Sequence, residues 1–373
     1  MSFLEKINEF ESFNFKEYFN SVRTCDVEAS IAKAELNKSD LNEFDLLNLL
    51  SDRAAPHIEQ MAQLAHKLTC QYFGRVISLY APIYISDYCN NFCTYCGFNC
   101  HNEFNRKKLT IAEIEFEAKV ISSTGIKHIL MLTGEDTLKT PISYLAESIE
   151  VLAKYFSSVA LEIFPMDTDD YRTLIKAGAD SLTVYQEVYD RNIYKDVHLK
   201  GMKSNYEYRL LTPERGAYAG FRAINIGPLY GLGNVQSEAF FAGLHAKYLE
   251  ENHPDVEVSV SVPRMVKAEG GISPKNLLSD KNLVQFMAAW RLYMPRLGIS
   301  ISTREPAWLR DKLIHLGATK FSAGSKTDVG GYSDSNIENI PQFVLSDTRS
   351  VDEVAQMIRN SGYQAVFKDW DAV

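Results

Sequence analysis

An alternation constrains this chain more than anything else in it. From residue 76 onward, short runs rich in β-branched and aromatic residues are followed by longer stretches with apolar residues at helical spacing. Candidate strands fall at 76–86, 128–134, 158–164, 181–187, 221–227, 256–262, 298–303 and 319–322. Between them lie helical patterns near 110–123, 142–155, 168–177, 203–215, 236–251, 280–296 and 306–316. Such a series without hairpin signals predicts a parallel sheet, and the count of strands predicts closure. The expected fold is therefore α/β, a (β/α)8 TIM-type barrel, with an open doubly wound sheet as the alternative. Residues 1–72 show amphipathic helical patterns, for example in Asp45–Leu50 and Ile58–Leu64, and read as a helical layer ahead of a barrel at 73–340. Residues 341–373 read as a C-terminal extension packed on the barrel, with an extended run at Phe343–Leu345 and a helix from Val351 to Asn360.

The net charge of −9 argues against nucleic acid or an anionic membrane as the main partner. No apolar run is long enough to span a bilayer, and Met1–Lys6 lacks the basic start and apolar core of a signal peptide. The expected location is the cytoplasm, where thiols stay reduced. A cysteine cluster there reads as a metal site before it reads as a disulfide framework. Of the six cysteines, Cys25 and Cys70 are scattered, whereas Cys89, Cys93, Cys96 and Cys100 crowd into twelve residues.

That cluster follows the first candidate strand directly, as Cys89-Asn90-Asn91-Phe92-Cys93-Thr94-Tyr95-Cys96, a C-x3-C-x2-C spacing. Three thiolates on a short loop can hold three irons of a cubane and leave the fourth open to a chelating ligand, whereas ordinary electron-transfer clusters use four cysteines. A zinc site completed by Cys100 or His101 is the alternative. A thioredoxin-like use of Cys93 and Cys96 would leave Cys89 idle. Polar residues gather at the ends of the later strands, where barrel enzymes keep their chemistry. Glu162 sits among apolar strand residues, so it needs a buried partner or must face the barrel mouth. Arg264, Arg304 and Ser322 end strands six, seven and eight. The planar fork of arginine suits a bidentate grip on a carboxylate. The plainer reading pairs these arginines with nearby acids such as Glu269 and Glu305, and leaves Arg209 exposed on a helix.

The loop from Tyr84 to Phe98 resembles the signature of the radical S-adenosylmethionine (SAM) enzymes, C-x3-C-x-aromatic-C. The resemblance implies one [4Fe–4S] cluster on Cys89, Cys93 and Cys96, whose open iron takes the amino and carboxylate groups of SAM. It puts Tyr95 and the Gly227 turn beside the adenine. Thr133-Gly134-Glu135 is similar to the Gly-Gly-Glu motif that meets the SAM amino group. By the same likeness Glu187 receives the ribose hydroxyls, Arg209 meets the SAM carboxylate, and Glu162 lies near SAM or the substrate.

Further segments, among them Tyr185–Glu187, Ser261–Met265, Ile299–Glu305 and Lys320–Ser325, resemble the aromatic-amino-acid lyase subgroup, and within it the tyrosine lyases of anaerobic thiazole biosynthesis. That family cleaves L-tyrosine to p-cresol and 2-iminoacetate (dehydroglycine), the precursor of the thiazole of thiamine. The implied substrate clamp is Arg304 helped by Ser322, with Arg264 as its rival. Tyr84, Tyr88 and His245 are candidates for the pocket wall, His245 being equally readable as a surface residue. Thiazole synthase is the implied recipient of the product, and a flavodoxin the implied reductant. A sister tyrosine lyase of [FeFe]-hydrogenase maturation carries a C-terminal extension whose cysteines hold a second cluster. With no cysteine between Cys100 and Val373, no second cluster is expected here.

Overall fold

A computed structural model of the chain describes residues 2–36, 41–266, 268, 270–333 and 341–368. The strands are β1 (Val76–Ser86), β2 (His128–Thr133), β3 (Ser158–Glu162), β4 (Ser181–Glu187), β5 (Ala223–Pro228), β6 (Glu257–Ser261), β7 (Gly298–Ile301) and β8 (Lys320–Ser322). Each pairs parallel with the next, and β8 returns to β1 through Ser78–Lys320, Leu79–Phe321 and Tyr80–Ser322, which closes an eight-stranded barrel. Strands buried on both faces read as near-continuous apolar runs, as β2 does with His-Ile-Leu-Met-Leu-Thr.

Five helices precede the barrel: α1 (Phe3–Asn8), α2 (Phe15–Ser21), α3 (Thr24–Glu35), α4 (Glu43–Leu50) and α5 (Ile58–Phe73). The crossovers carry α6 (Ile111–Ser123), α7 (Ile142–Leu152), α8 (Thr168–Lys176), then α9 (Arg191–Val197), α10 (Tyr206–Leu210) and α11 (Thr212–Ala219), and after β5 α12 (Val235–Asn252), α13 (Asp280–Tyr293) and α14 (Ala307–Leu313). The N-terminal layer sits on α12 and α13. Gln285 Nε2 donates to the Leu49 and Ser51 carbonyls at the end of α4, at 2.9 and 2.8 Å. Gly243 of α12 is a contact point, since a Cβ there would lie 2.8 Å from Leu46 and 3.0 Å from Trp290.

Two local expectations are corrected and one feature is new. The stretch 203–215 is not one helix but α10 and α11, because Pro213 cannot donate a helical hydrogen bond and sits in the first turn of a new helix. Phe343–Leu345 forms no strand. The sheet is instead extended by β9 (Gln364–Val366), parallel to Val76–Ser78, after α15 (Val351–Asn360). An antiparallel ladder, unforeseen because it joins segments a hundred residues apart, pairs Phe92 with Lys200 and Cys93 with His198. It fastens the cysteine loop to the segment after β4.

The tail is anchored by charge. The Arg310 side chain, fully buried, binds Asp347 and the Ser322 carbonyl of β8, and Asp347 also receives Arg349 at 2.7 Å. Pro341–Phe343 is thereby laid across the C-terminal mouth of the barrel.

Candidate active site at the barrel mouth

Two adjoining chambers open there. The first is lined by Cys89, Cys93 and Cys96, by Thr133, Gly134 and Glu135 from the end of β2, and by Glu187, Lys203 and Arg209. The three thiols are unpaired by disulfides, and burial raises the pKa of each, that of Cys96 to about 11. The donor set lining this chamber is three thiols from one short loop, which fits three irons of a [4Fe–4S] cubane with the fourth left open, whereas a structural zinc takes four closed ligands.

The loop is held in register by the residues that follow β2. Gly134 N donates to Ser86 O and Asn90 N to Glu135 O, each at 2.9 Å, and Asn91 Nδ2 donates to Glu135 Oε2 at 2.6 Å. Gly134 must be glycine, because a Cβ would stand 2.3 Å from Tyr88 O.

Glu187 is the one described non-glycine residue with positive φ, at 72°. A left-handed backbone in a non-glycine residue is uncommon and persists where its surroundings enforce it. Here Lys203 Nζ grips its carboxylate at 2.6 Å and Arg209 approaches to 3.5 Å, while Arg209 Nε donates to Tyr185 O at 2.7 Å. Burial alone would raise the Glu187 pKa. The charges of Lys203 and Arg209 overcome it and keep the carboxyl below its ordinary range. Arg209 is thus buried at the site rather than exposed on its helix.

The second chamber is lined by Arg304, Ser302, Ser322 and Ser325, with Tyr80 and Phe343. The Arg304 guanidinium lies 3.4 Å from the centre of the Phe343 ring and forms no ion pair among the described residues. Ser322 Oγ accepts from Thr303 N at 3.0 Å, and the Ser325 hydroxyl is buried without a hydrogen-bond partner among the described residues. Tyr84, Leu132, Glu162, Tyr185 and Gln342 belong to both chambers and form the wall between them. Tyr84 Oη donates to Gln342 Oε1 at 2.9 Å. Glu162 is pushed up to about 7, first by burial and then by the charge of Glu187, against the pull of Arg304.

Several expected residues lie elsewhere. Arg264 is occupied by Glu305, by Asp280 at 2.6 Å and by the Leu278 carbonyl, so the plainer reading holds for it. Glu269, the other acid named for that role, lies outside the described residues. His245 lines neither chamber and is not at the surface. It is buried, stacks on Phe3 at 3.8 Å, contacts Tyr189 Oη at 3.2 Å, and stays neutral because burial lowers its pKa to about 3. Gly227 turns its bare face to the next strand, where a Cβ would meet Ser261 O at 2.5 Å. Tyr88 lies under Lys139, 5.0 Å from its ring centre.

Tyr95 is not among the residues that line either chamber; its ring centre lies 5.6 Å from Lys203 Nζ, and its hydroxyl meets His198. His198 is neutral, its pKa depressed to about 2 by burial and by Lys203 and Arg209. Its Nδ1 faces the Tyr194 carbonyl at 2.9 Å and must carry the proton, so Nε2 accepts from Tyr95 Oη at 2.8 Å. Sequence reasoning passed over Lys203, Gln342 and Phe343. Lys203 had a weak signal as the first residue of an expected helix, and the other two had none.

A closed parallel barrel with this cysteine loop at its C-terminal mouth defines a class, and the comparisons agree. Residues 83–235 match the Radical SAM superfamily, and residues 261–364 match the Biotin and Thiamin Synthesis associated domain. The 2-iminoacetate synthase of Escherichia coli (strain K12) is 39% identical over 354 residues, covering 95% of this chain and 92% of that protein. That of Salmonella typhimurium is 37% identical over 372 residues, covering 100% and 97%. The FeFe-hydrogenase maturase HydG from Carboxydothermus hydrogenoformans superposes with a TM-score of 0.86 at 30% identity, covering 95% of this chain and 83% of that one. The chain belongs to the 2-iminoacetate synthase family of radical SAM enzymes.

Proposed function

We propose that this chain is a carbon–carbon lyase that splits L-tyrosine at the Cα–Cβ bond into 2-iminoacetate and p-cresol and so supplies the thiazole of thiamine. The observation that carries the reading is the pair of chambers, one lined by cysteines and one by an arginine that forms no ion pair among the described residues, sharing a wall at Glu162. When bound, the [4Fe–4S] cluster and SAM supply the reductive cleavage and hydrogen-atom abstraction that start the reaction. Cys89, Cys93 and Cys96 would hold the cluster, and Glu135, Glu187 and Arg209 would bind SAM. Arg304, with its face fixed on Phe343, clamps the tyrosine carboxylate, and Ser322 assists. Glu162, titrating near neutrality on the shared wall, is placed to exchange a proton with the substrate amino group. Tyr84 and Gln342 close the wall and exclude water. The enzyme works in the cytoplasm, is reduced by a flavodoxin-type protein, and passes its hydrolysis-prone product to thiazole synthase.

The test is an anaerobic assay with SAM, dithionite and tyrosine, read for 5′-deoxyadenosine, p-cresol and glyoxylate, the hydrolysis product of 2-iminoacetate. Cys→Ala at 89, 93 or 96 is expected to abolish all three, while Cys25→Ala and Cys70→Ala keep them. Full activity in any of the first three variants, or turnover of tyrosine without p-cresol, would overturn the reading.

A further inference from the structure

Glu238 is a buried acid that lines neither chamber. It stands in the first turn of α12 and is 2% exposed. It forms no ion pair among the described residues, and burial pushes its pKa up to about 8. A carboxylate held so deep without a cation costs stability, and hydrogen bonds must offset that cost. Its bonds run to one place. Oε2 accepts from Tyr189 N at 2.7 Å, and Oε1 accepts from Asp190 N at 3.4 Å. The carboxylate also lies against the bare backbone of the loop after β5, where a Cβ on Gly233 would stand 2.5 Å from Oε1.

Those two amides lie just beyond Glu187, the residue whose backbone is left-handed at φ 72°. Such a conformation persists only where its surroundings fix it. Before Glu187, Arg209 Nε holds Tyr185 O at 2.7 Å. At Glu187 itself, Leu229 N donates to the carbonyl at 2.8 Å. After it, Glu238 takes both amides, and Tyr206 Oη donates to Tyr189 O at 2.7 Å. Glu238 is the ionisable acceptor in this set, and a charged acceptor forms the stronger hydrogen bonds. Val188 and Tyr189 are 0% and 2% exposed, so water does not replace a lost acceptor there.

We infer that Glu238 is a positioning residue for SAM: by anchoring Tyr189 and Asp190 it holds the left-handed turn that aims Glu187 into the first chamber. This rests on the reading that Glu187 receives the ribose hydroxyls. Removing Glu238 lets the chain relax toward negative φ and turns the Glu187 carboxylate from its place beside Lys203 and Arg209. Because Glu238 lines neither chamber, its loss should reach SAM through Glu187 and leave tyrosine and the cluster untouched.

SAM binding to the anaerobically reconstituted enzyme is measured by calorimetry, with iron content, circular dichroism and the tyrosine KM at saturating SAM in parallel. Glu238→Leu should weaken SAM binding roughly tenfold, with iron content and tyrosine KM at wild-type values. Glu238→Gln keeps an amide oxygen for Tyr189 N and should stay within about threefold of wild type. Gly233→Ala displaces the carboxylate without removing it and should reproduce the loss seen in Glu238→Leu; it carries the test if the leucine variant does not fold. Glu187→Gln with Glu238→Leu should bind SAM no more weakly than the worse of the two single variants, since both act through one side chain. Wild-type SAM affinity in Glu238→Leu, or in Gly233→Ala where the leucine variant is unfolded, would overturn the inference if Glu187→Gln is itself weakened. So would additive losses in the double variant, or a matching loss of iron or rise in tyrosine KM, which would make Glu238 a general support. Wild-type SAM affinity in Glu187→Gln would overturn the ribose reading itself, and the role of Glu238 with it.

Discussion

Arg264 and Arg304 show how much a side chain's neighbours decide. Both follow barrel strands, yet Glu305 and Asp280 take up Arg264, while Arg304 lies on the face of Phe343 and forms no ion pair among the described residues. Removing Arg304 should therefore cost function and removing Arg264 should cost stability. Loss of a charge-assisted hydrogen-bonding partner costs about 1.5–3 kcal/mol, so Arg304→Ala should raise the tyrosine KM tenfold or more and yield 5′-deoxyadenosine with less p-cresol. Arg304→Lys should rescue only in part, since an ammonium lacks the planar fork. Arg264→Ala should lower the melting temperature, because Glu305, 2% exposed, is left without its cation, and should barely move KM. Steady-state kinetics and thermal melts on both variants check this; the reverse pattern would exchange the two roles.

Glu162 makes a residue-scale prediction about pH. Its pKa is raised from the ordinary 4.5 to about 7 in the folded protein, chiefly by burial. Between those values the folded state holds a proton that the unfolded chain has lost. Stability therefore falls as pH rises through this window, and the penalty is complete above it. Glu162→Gln, neutral at every pH, should make cluster-free protein roughly 1–3 kcal/mol more stable than wild type at pH 8, with the difference nearly gone at pH 4.5. Thermal or urea unfolding at both pH values is the measurement, and a pH-independent difference would refute it.

At the scale of elements, the site depends on how strand ends meet the cysteine loop. The end of β2 reaches the loop through Gly134, whose missing side chain lets Tyr88 O approach, and through Glu135, which holds Asn91. Gly134→Ala must push these backbones apart. The expected result is a folded protein with reduced iron content after anaerobic reconstitution and weakened SAM binding, read by iron analysis and calorimetry with circular dichroism as the fold control. Wild-type iron loading and SAM affinity would show that the loop tolerates the shift. The ladder from Phe92–Cys93 to His198–Lys200 supports the loop from the other side, and the neutral His198 accepts from Tyr95 there.

Over the whole molecule, the tail completes the barrel. β9 extends the sheet beside β1, and Gln342 and Phe343 wall the chambers from a segment about 250 residues away from Tyr84. The tie is Asp347, which neutralises the fully buried Arg310. Breaking a buried pair by removing one partner costs about 3–5 kcal/mol, so Asp347→Ala should lower the melting temperature substantially. It should also make the chain from 341 onward the first site of limited proteolysis, with tyrosine-dependent turnover falling as cleavage proceeds. An unchanged melt and digestion pattern would show that α15 and β9 hold the tail without this pair.

The sequence by itself determined what is local along the chain. Strand and helix periods repeat within a few residues, so all eight barrel strands were legible from residue 76 to 322. The cysteine spacing lies within one loop, so its chemistry could be read before its geometry. Tertiary structure decided everything that depends on contacts through space. It determined that Arg264 is taken by an acid 41 residues away while Arg304 is not, and that Lys203 supports Glu187. It placed Gln342 against Tyr84, and His245 against Phe3 instead of the substrate chamber. Periodicity records which face of an element is buried, but not which distant side chain it will meet, because that depends on how the closed barrel and its tail bring separate elements together.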